Sequence, residues 1–434
     1  MEAIVCPNRV SQISDLVRRK WKSALLRDLF FTSSSGGAVL ILGILGGILS
    51  ARLLGPQGRG ELATALVWVA LLAALADLGV SQAVTYHVAK GRERVGAITG
   101  TAIGLALLTG SLATCFSFFV LLPLLTNRGA AVESLRLYLF SIPISLTLTV
   151  LGTTFLGLGQ FKTYNFLRIA QSGGYVLGVA LSALMHWSQA WNITLLMLIM
   201  QLLSAIAGAF FLGKQIPFGE WSLRLSSAQE LLRYGLKTYA GNLAWLGNGK
   251  LDQMLCSILL SSEAVGLYSV AVAYGSLLFS VSGAFATITF QRVASAVSRE
   301  AALETFQKLL YWNAGLSLLL SVFLMLAAKY LIPLAFGNSF LPSVKVAEIL
   351  TLGGALLGIN YVLSNGLRGM GRPLEPTKAE ATGLVINVLA ISYFAPRWGL
   401  MGTAVATSLS YGAAFSFLFV TFAREKRLAR AGAA

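Results

Sequence analysis

Charge is what this chain has least of. Only 12% of its 434 residues are Asp, Glu, Lys or Arg, roughly half the share of a soluble globular domain. Metal-binding and nucleophilic groups are scarce too: three cysteines, Cys6, Cys115 and Cys256, and two histidines, His87 and His186. None stands at ligand spacing to another, so neither a zinc site nor a disulfide framework is expected. Cys115 and Cys256 lie inside apolar runs, where cysteine acts as a small hydrophobe. There is no Walker A sequence, which argues against direct use of ATP. No Ser/His/Asp set is arranged for nucleophilic catalysis, so no enzyme activity, metal or cofactor is expected. The formal charge of +16 is not gathered on a soluble basic domain, so nucleic acid is not an expected partner.

Apolar sequence is abundant: 56% of residues are hydrophobic, and runs of helix-spanning length recur from Phe30 to Phe422. About 20 apolar residues in helical form cross a bilayer with every backbone group paired. The expected fold is an all-α polytopic membrane protein of about twelve transmembrane helices. The spans are read at 30–54, 62–88, 97–125, 136–158, 164–186, 191–213, 232–260, 264–291, 309–335, 346–368, 377–396 and 400–422. Turn chemistry such as "GPQGRG", "GLGQFK", "FGNSFLPS" and "GMGRPLEP" separates them.

Placing both termini in the cytoplasm leaves 25 of the 33 Lys and Arg on that side. Arg52, Arg59, Arg128, Arg136, Lys329, Lys345 and Arg397 fall outside, and Lys250 falls within a span. The bias fits the positive-inside rule and an even number of spans. Residues 1–29 read as a basic amphipathic cytoplasmic segment, lying on the membrane surface or partly disordered. The remaining divisions are a six-helix bundle over 30–213, a cytoplasmic linker over 214–231, a second bundle over 232–422 and a basic tail over 423–434.

The two halves echo each other. "LLGPQGRGELATALVWVALL" (53–72) lines up with "LLSSEAVGLYSVAVAYGSLL" (259–278), matching Gly60 to Gly266 and Ala65 to Ala271. "GLGQ" (157–160) lines up with "GMGR" (369–372). Two anchors in nearly the same register predict a parallel repeat, hence two bundles related by a pseudo-twofold axis along the membrane normal.

The stretch "ARLLGPQGRGELATALVWVALLAALADLGVSQAVTYHVA" resembles the first-to-second-helix region of the oligosaccharide flippases, also called polysaccharide or O-antigen transporters. These belong to the multidrug/oligosaccharidyl-lipid/polysaccharide exporter superfamily. "NGKLDQMLCSILLSSEAVGLYSVAVAY", "TITFQRVAS" and "GLRGMGRP" are similar to second-half segments of the same family. The resemblance implies alternating access of two bundles, moving glycans on an undecaprenyl pyrophosphate carrier to the outer leaflet of a bacterial cytoplasmic membrane. It implies a basic central cavity and polysaccharide polymerase and ligase as partners; H+ or Na+ is the candidate coupling ion, with the membrane potential alone as the other drive. The alternative within the superfamily is an ion-coupled multidrug exporter, which would need an acidic cavity. The absence of charge over Ser33–Leu49 and the count of twelve spans argue against a lipid II flippase.

Charges deep in spans mark the candidate site, because each is costly unless it meets protein or water. Lys250 lies about ten residues from the outer end of span seven, roughly 15 Å down at helical rise. It is read as the cavity cation for pyrophosphate or as one half of an interhelical salt bridge. Arg52 is a second candidate for meeting anionic substrate. Asp252 points to nearly the opposite face from Lys250 and is read as structural, with ion coupling as its other role. Asp77 is an ion-coupling candidate or the partner of a cytoplasmic arginine. Arg168, Lys237, Arg292 and Arg368 lie at the cytoplasmic mouth, as first contacts for diphosphate or as topology signals. Arg59, beside Arg52 at the outer turn, is expected to snorkel to the headgroups. The glycines of span one, Gly36, Gly37, Gly43, Gly46 and Gly47, are expected to permit close packing.

Overall fold

The computed structural model describes the backbone of residues 8–91, 94–124 and 130–432, with side chains from 34 onward apart from 124, 130, 238, 240–248 and 428–432. Cys6, Arg128 and the side chains of the basic N-terminal segment lie outside the described residues. Among the described residues there is no strand.

Helix α1 (Asn8–Asp77) breaks at Gly55, where φ 65° and ψ −176° suit a residue without Cβ. Pro56 opens the next arm, at the position where a missing N–H costs nothing. The two arms fold back side by side. Arg59 Nη1 lies 3.2 Å from Ser50 Oγ, although nine residues of straight helix would separate them by about 13 Å. They form spans one and two. Span two breaks again at Leu78 (φ 50°) and Gly79 (φ 74°) before α2 (Val80–Lys90). The sequence pattern predicts one continuous helix there, so this break is a correction.

Span three is α3 (Val95–Phe116), continued through a π-helical turn (Ser117–Leu121) into α4 (Leu122–Leu124). Span four is α5 (Ala130–Tyr138), bent by 43° into α6 (Ser141–Gly157). α7 (Phe161–Leu184) and α8 (Ala190–Gly213) complete the first half. The second half holds α9 (Leu225–Leu259), α10 (Ser262–Ala294), α11 (Arg299–Phe336), α12 (Ser343–Gly369) and α13 (Leu374–Gly432). α13 folds back at Gly399 (φ 56°), where a methyl on Gly402 would stand 2.2 Å from Phe394 O.

Seven helices are each long and apolar enough to cross a membrane, or eight with the bent pair as one span. Two of the seven, Ser34–Asp77 and Leu374–Arg427, make two passes each because they fold back. α7 and α9 bring the number of spans among the described residues to twelve. Their lower hydropathy follows from polar residues such as Arg168, Gln171, Lys250 and Asp252.

Each half buries its own core. Leu135, Leu139, Ile142 and Val84 cluster in the first, and Phe306, Val362, Leu363 and Leu367 in the second. The repeat is visible in detail at both anchors. Gly159 and Gly371 both take positive φ, 73° and 78°. After each glycine the chain closes the same helix cap: Gln160 N donates to Phe155 O at 2.8 Å, and Arg372 N to Leu367 O at 2.9 Å. At the other anchor the halves touch. A methyl on Gly60 would stand 1.6 Å from Ser262 O, and one on Gly266 would stand 1.9 Å from Pro56 O. Pro56 meets Gly266 as Ser262 meets Gly60, so the pseudo-twofold axis passes between the two glycines.

Candidate functional site

A cavity of about 320 Å³ lies beside Lys250, and its described lining residues all belong to the second half. α9 supplies Gly249, Lys250 and Asp252, while α10 supplies Ser276 and Phe279. α12 adds Asn360 and Tyr361, and α13 adds Glu380, Thr407 and Tyr411. Gly275, Gly354 and Gly383 also line it, and their missing side chains leave room. Its wall is largely apolar, with the polar groups at a few fixed points, the usual pattern of a ligand pocket.

Asp252 is buried at 4% exposure. Its Oδ2 accepts from Tyr268 Oη at 2.8 Å, and that hydroxyl lies 3.1 Å from Thr407 Oγ1. Asp252 thus ties α9 to α10 and α13. Lys250 is only partly buried, and among the described residues no carboxylate lies within ion-pair distance of it. At the cavity wall Glu380 meets Arg368, whose Nη2 donates at 3.2 Å. Asp77 accepts from Ser81 Oγ at 2.9 Å and from Ser81 N at 3.3 Å, holding the start of α2 just past the break in span two.

The other candidates are spread out. Arg52 is exposed, and its guanidinium donates to the main-chain oxygens of Leu334 and Ala335 at the end of α11. It joins the two halves at that end and is not among the described residues that line the cavity. Arg168 lies over the Tyr164 ring, 5.6 Å from its centroid. Lys237 and Arg292 are exposed. The structure therefore brings together Lys250, Asp252, Glu380 and, through Glu380, Arg368. Glu380 and Thr407 carry no motif in the sequence. Only the folding of α13 against α9 gathers them.

Arg59 departs most from expectation. It does not snorkel: its side chain is 8% exposed and turned into the protein, because Ser50 and Tyr175 offer hydroxyls there. The glycines of span one divide as well. Gly46 packs against the Tyr175 ring, whereas Gly36, Gly37 and Gly43 face open space. Among the described residues no group of three or more His, Cys, Asp and Glu could hold a metal ion.

A family profile described as polysaccharide biosynthesis protein matches residues 25–290. An uncharacterized membrane protein of Methanocaldococcus jannaschii is 30% identical over 81 residues, 19% of this chain and 16% of that protein's length. Two solved structures superpose with a TM-score of 0.74. One is an inward-facing multidrug resistance MATE family transporter of the MOP superfamily, 15% identical, covering 89% of this chain and 96% of its own. The other is the lipid II flippase MurJ in an inward closed conformation, 16% identical, covering 90% and 87%. An outward-facing MATE structure gives 0.58 at 15% identity, covering 93% and 96%. These likenesses establish the two-lobed, twelve-helix fold.

Proposed function

Since the chain belongs to the polysaccharide biosynthesis protein family of MOP-superfamily flippases and transporters, we propose that its cargo is a lipid-linked oligosaccharide on a polyprenyl diphosphate. One observation supports this over an organic cation. The carboxylates Asp252, Asp77 and Glu380 already have partners in Tyr268, Ser81 and Arg368, while Lys250 has no carboxylate within ion-pair distance among the described residues. An unpaired cation at mid-depth suits an anionic headgroup. A cationic drug would need a free carboxylate in its place.

In this reading the diphosphate enters from the cytoplasm, meets Lys250 and crosses as the two bundles rock about the axis between Gly60 and Gly266. The lipid tail stays in the bilayer through a gap between the bundles. The membrane is the cytoplasmic membrane of a bacterium, with both termini inside. H+ or Na+ is the coupling ion, through Asp77 or Asp252, and the glycan passes on to a polymerase and ligase.

Lys250→Ala is expected to slow leaflet exchange of an undecaprenyl-diphosphate oligosaccharide in proteoliposomes by about tenfold or more, the size of one lost charge-assisted contact. Lys250→Arg should restore much of the rate. Exchange undiminished in Lys250→Ala would remove the lysine from the site and leave the cargo standing.

A further inference from the structure

Arg59 stands on the fourth residue after the break at Gly55, yet its guanidinium is carried far from the outer surface. Nη1 donates to Ser50 Oγ at 3.2 Å and to Tyr175 Oη at 3.1 Å, and those two oxygens lie 2.8 Å apart. Gly46 makes room for this, since a methyl there would stand 2.5 Å from the Tyr175 ring. Nη2 reaches within 4.0 Å of the Cβ position of Gly47. Gly47 lies eight residues before Gly55, about 12 Å below the outer turn. Lys250 lies nine residues before the end of α9 at Leu259, about 14 Å down.

The two cations therefore share a depth, one from each bundle, and Lys250 feels the charge of Asp252 and then that of Arg59. Leu62 packs inside the first bundle with Val179, and Ala63 packs across the interface near Cys256. Arg59, one turn earlier, sits on the seam between those directions. Its Nε is buried with no partner, and among the described residues no carboxylate lies within ion-pair distance of it. Two neutral hydroxyls do not require a guanidinium. A buried charge left with a spare donor is costly unless an anion completes it.

We infer that Arg59 is a second anion-binding residue of the transport site, and that it and Lys250 grip the two phosphates of a diphosphate, one from each bundle. This rests on the flippase reading above. The guanidinium fork takes two oxygens of one phosphate, and the ammonium meets the other as a point charge. A monophosphate satisfies one cation only, so the pair sets a preference for diphosphate.

The test is binding of undecaprenyl diphosphate, undecaprenyl monophosphate and undecaprenol to the full chain in nanodiscs. Wild type should bind diphosphate at least about tenfold more tightly than monophosphate, the worth of one charge-assisted contact. Arg59→Gln should erase that preference and leave undecaprenol binding unchanged, which a general packing defect would not do. Arg59→Lys keeps charge and stem, and it carries the test if the glutamine variant does not fold. Without the fork it should lose most of the preference. Wild-type selectivity in Arg59→Lys or Arg59→Gln, with Lys250→Gln impaired, would overturn the inference and spare the flippase reading. A wild type indifferent to the phosphates would overturn both.

Discussion

Asp252 and Lys250 are two residues apart on α9 and meet different surroundings. The carboxylate is buried against Tyr268, while the ammonium stands at the cavity wall. That division follows from helix geometry, because side chains two apart point to nearly opposite faces. It sets a stability prediction. Tyr268→Phe removes the hydroxyl that donates to Asp252 and leaves a buried carboxylate short of a donor, at a cost of about 1–3 kcal/mol. The melting temperature of the purified protein should fall. Asp252→Asn keeps an acceptor for the tyrosine and should fall less. Equal losses in the two variants would show that the hydroxyl–carboxylate bond is not what holds α9 to α10. Spacing along one helix revealed that the two residues part company. It did not reveal Tyr268 or Thr407 as neighbours, because those contacts depend on how α10 and α13 pack.

At the scale of the elements, glycines decide which helices touch. Gly60 and Gly266 bring span two and α10 into backbone contact, and Gly79 and Gly235 do the same for spans two and seven at the opposite end of span two. Gly43 faces nothing within 4 Å. Composition alone gives all of these the same standing in an apolar helix, so the sequence could not rank them. The repeat did single out Gly60 and Gly266. Gly60→Ala or Gly266→Ala should prevent the outer seam from closing. A cysteine placed at Ser257, a buried position lining a small void beside that seam, reports on it. Its labelling from outside by an impermeant maleimide should rise in either variant, and should stay at the unmodified level in Gly43→Ala. Comparable labelling in all three would mean that the Gly60–Gly266 contact does not gate the outer face. The break of span two at Leu78 and Gly79 was not legible, because hydropathy runs unbroken through it. The reversals at Gly55 and between the last two spans were legible, since glycine and proline interrupt the pattern there.

For the whole molecule, twelve spans, two halves and their axis could all be read from hydropathy, turn residues and the internal echo. The structure adds two levels at which the halves are in backbone contact. The halves meet on the axis at Gly60 and Gly266, and again at Gly79 and Gly235. The resemblance implies a basic central cavity; the cavity beside Lys250 has its described lining residues all in the second half, and its cation has no carboxylate partner among the described residues. Charge pairing of this kind depends on packing, so a census of charged residues could not separate a glycolipid from a cationic drug. The direct measurement puts purified wild-type protein in liposomes that hold both cargoes. They are an undecaprenyl-diphosphate oligosaccharide labelled in one leaflet and an organic-cation dye under H+ and Na+ gradients. The glycolipid should exchange between leaflets while the dye stays where it is. Dye transport without glycolipid exchange would contradict the account.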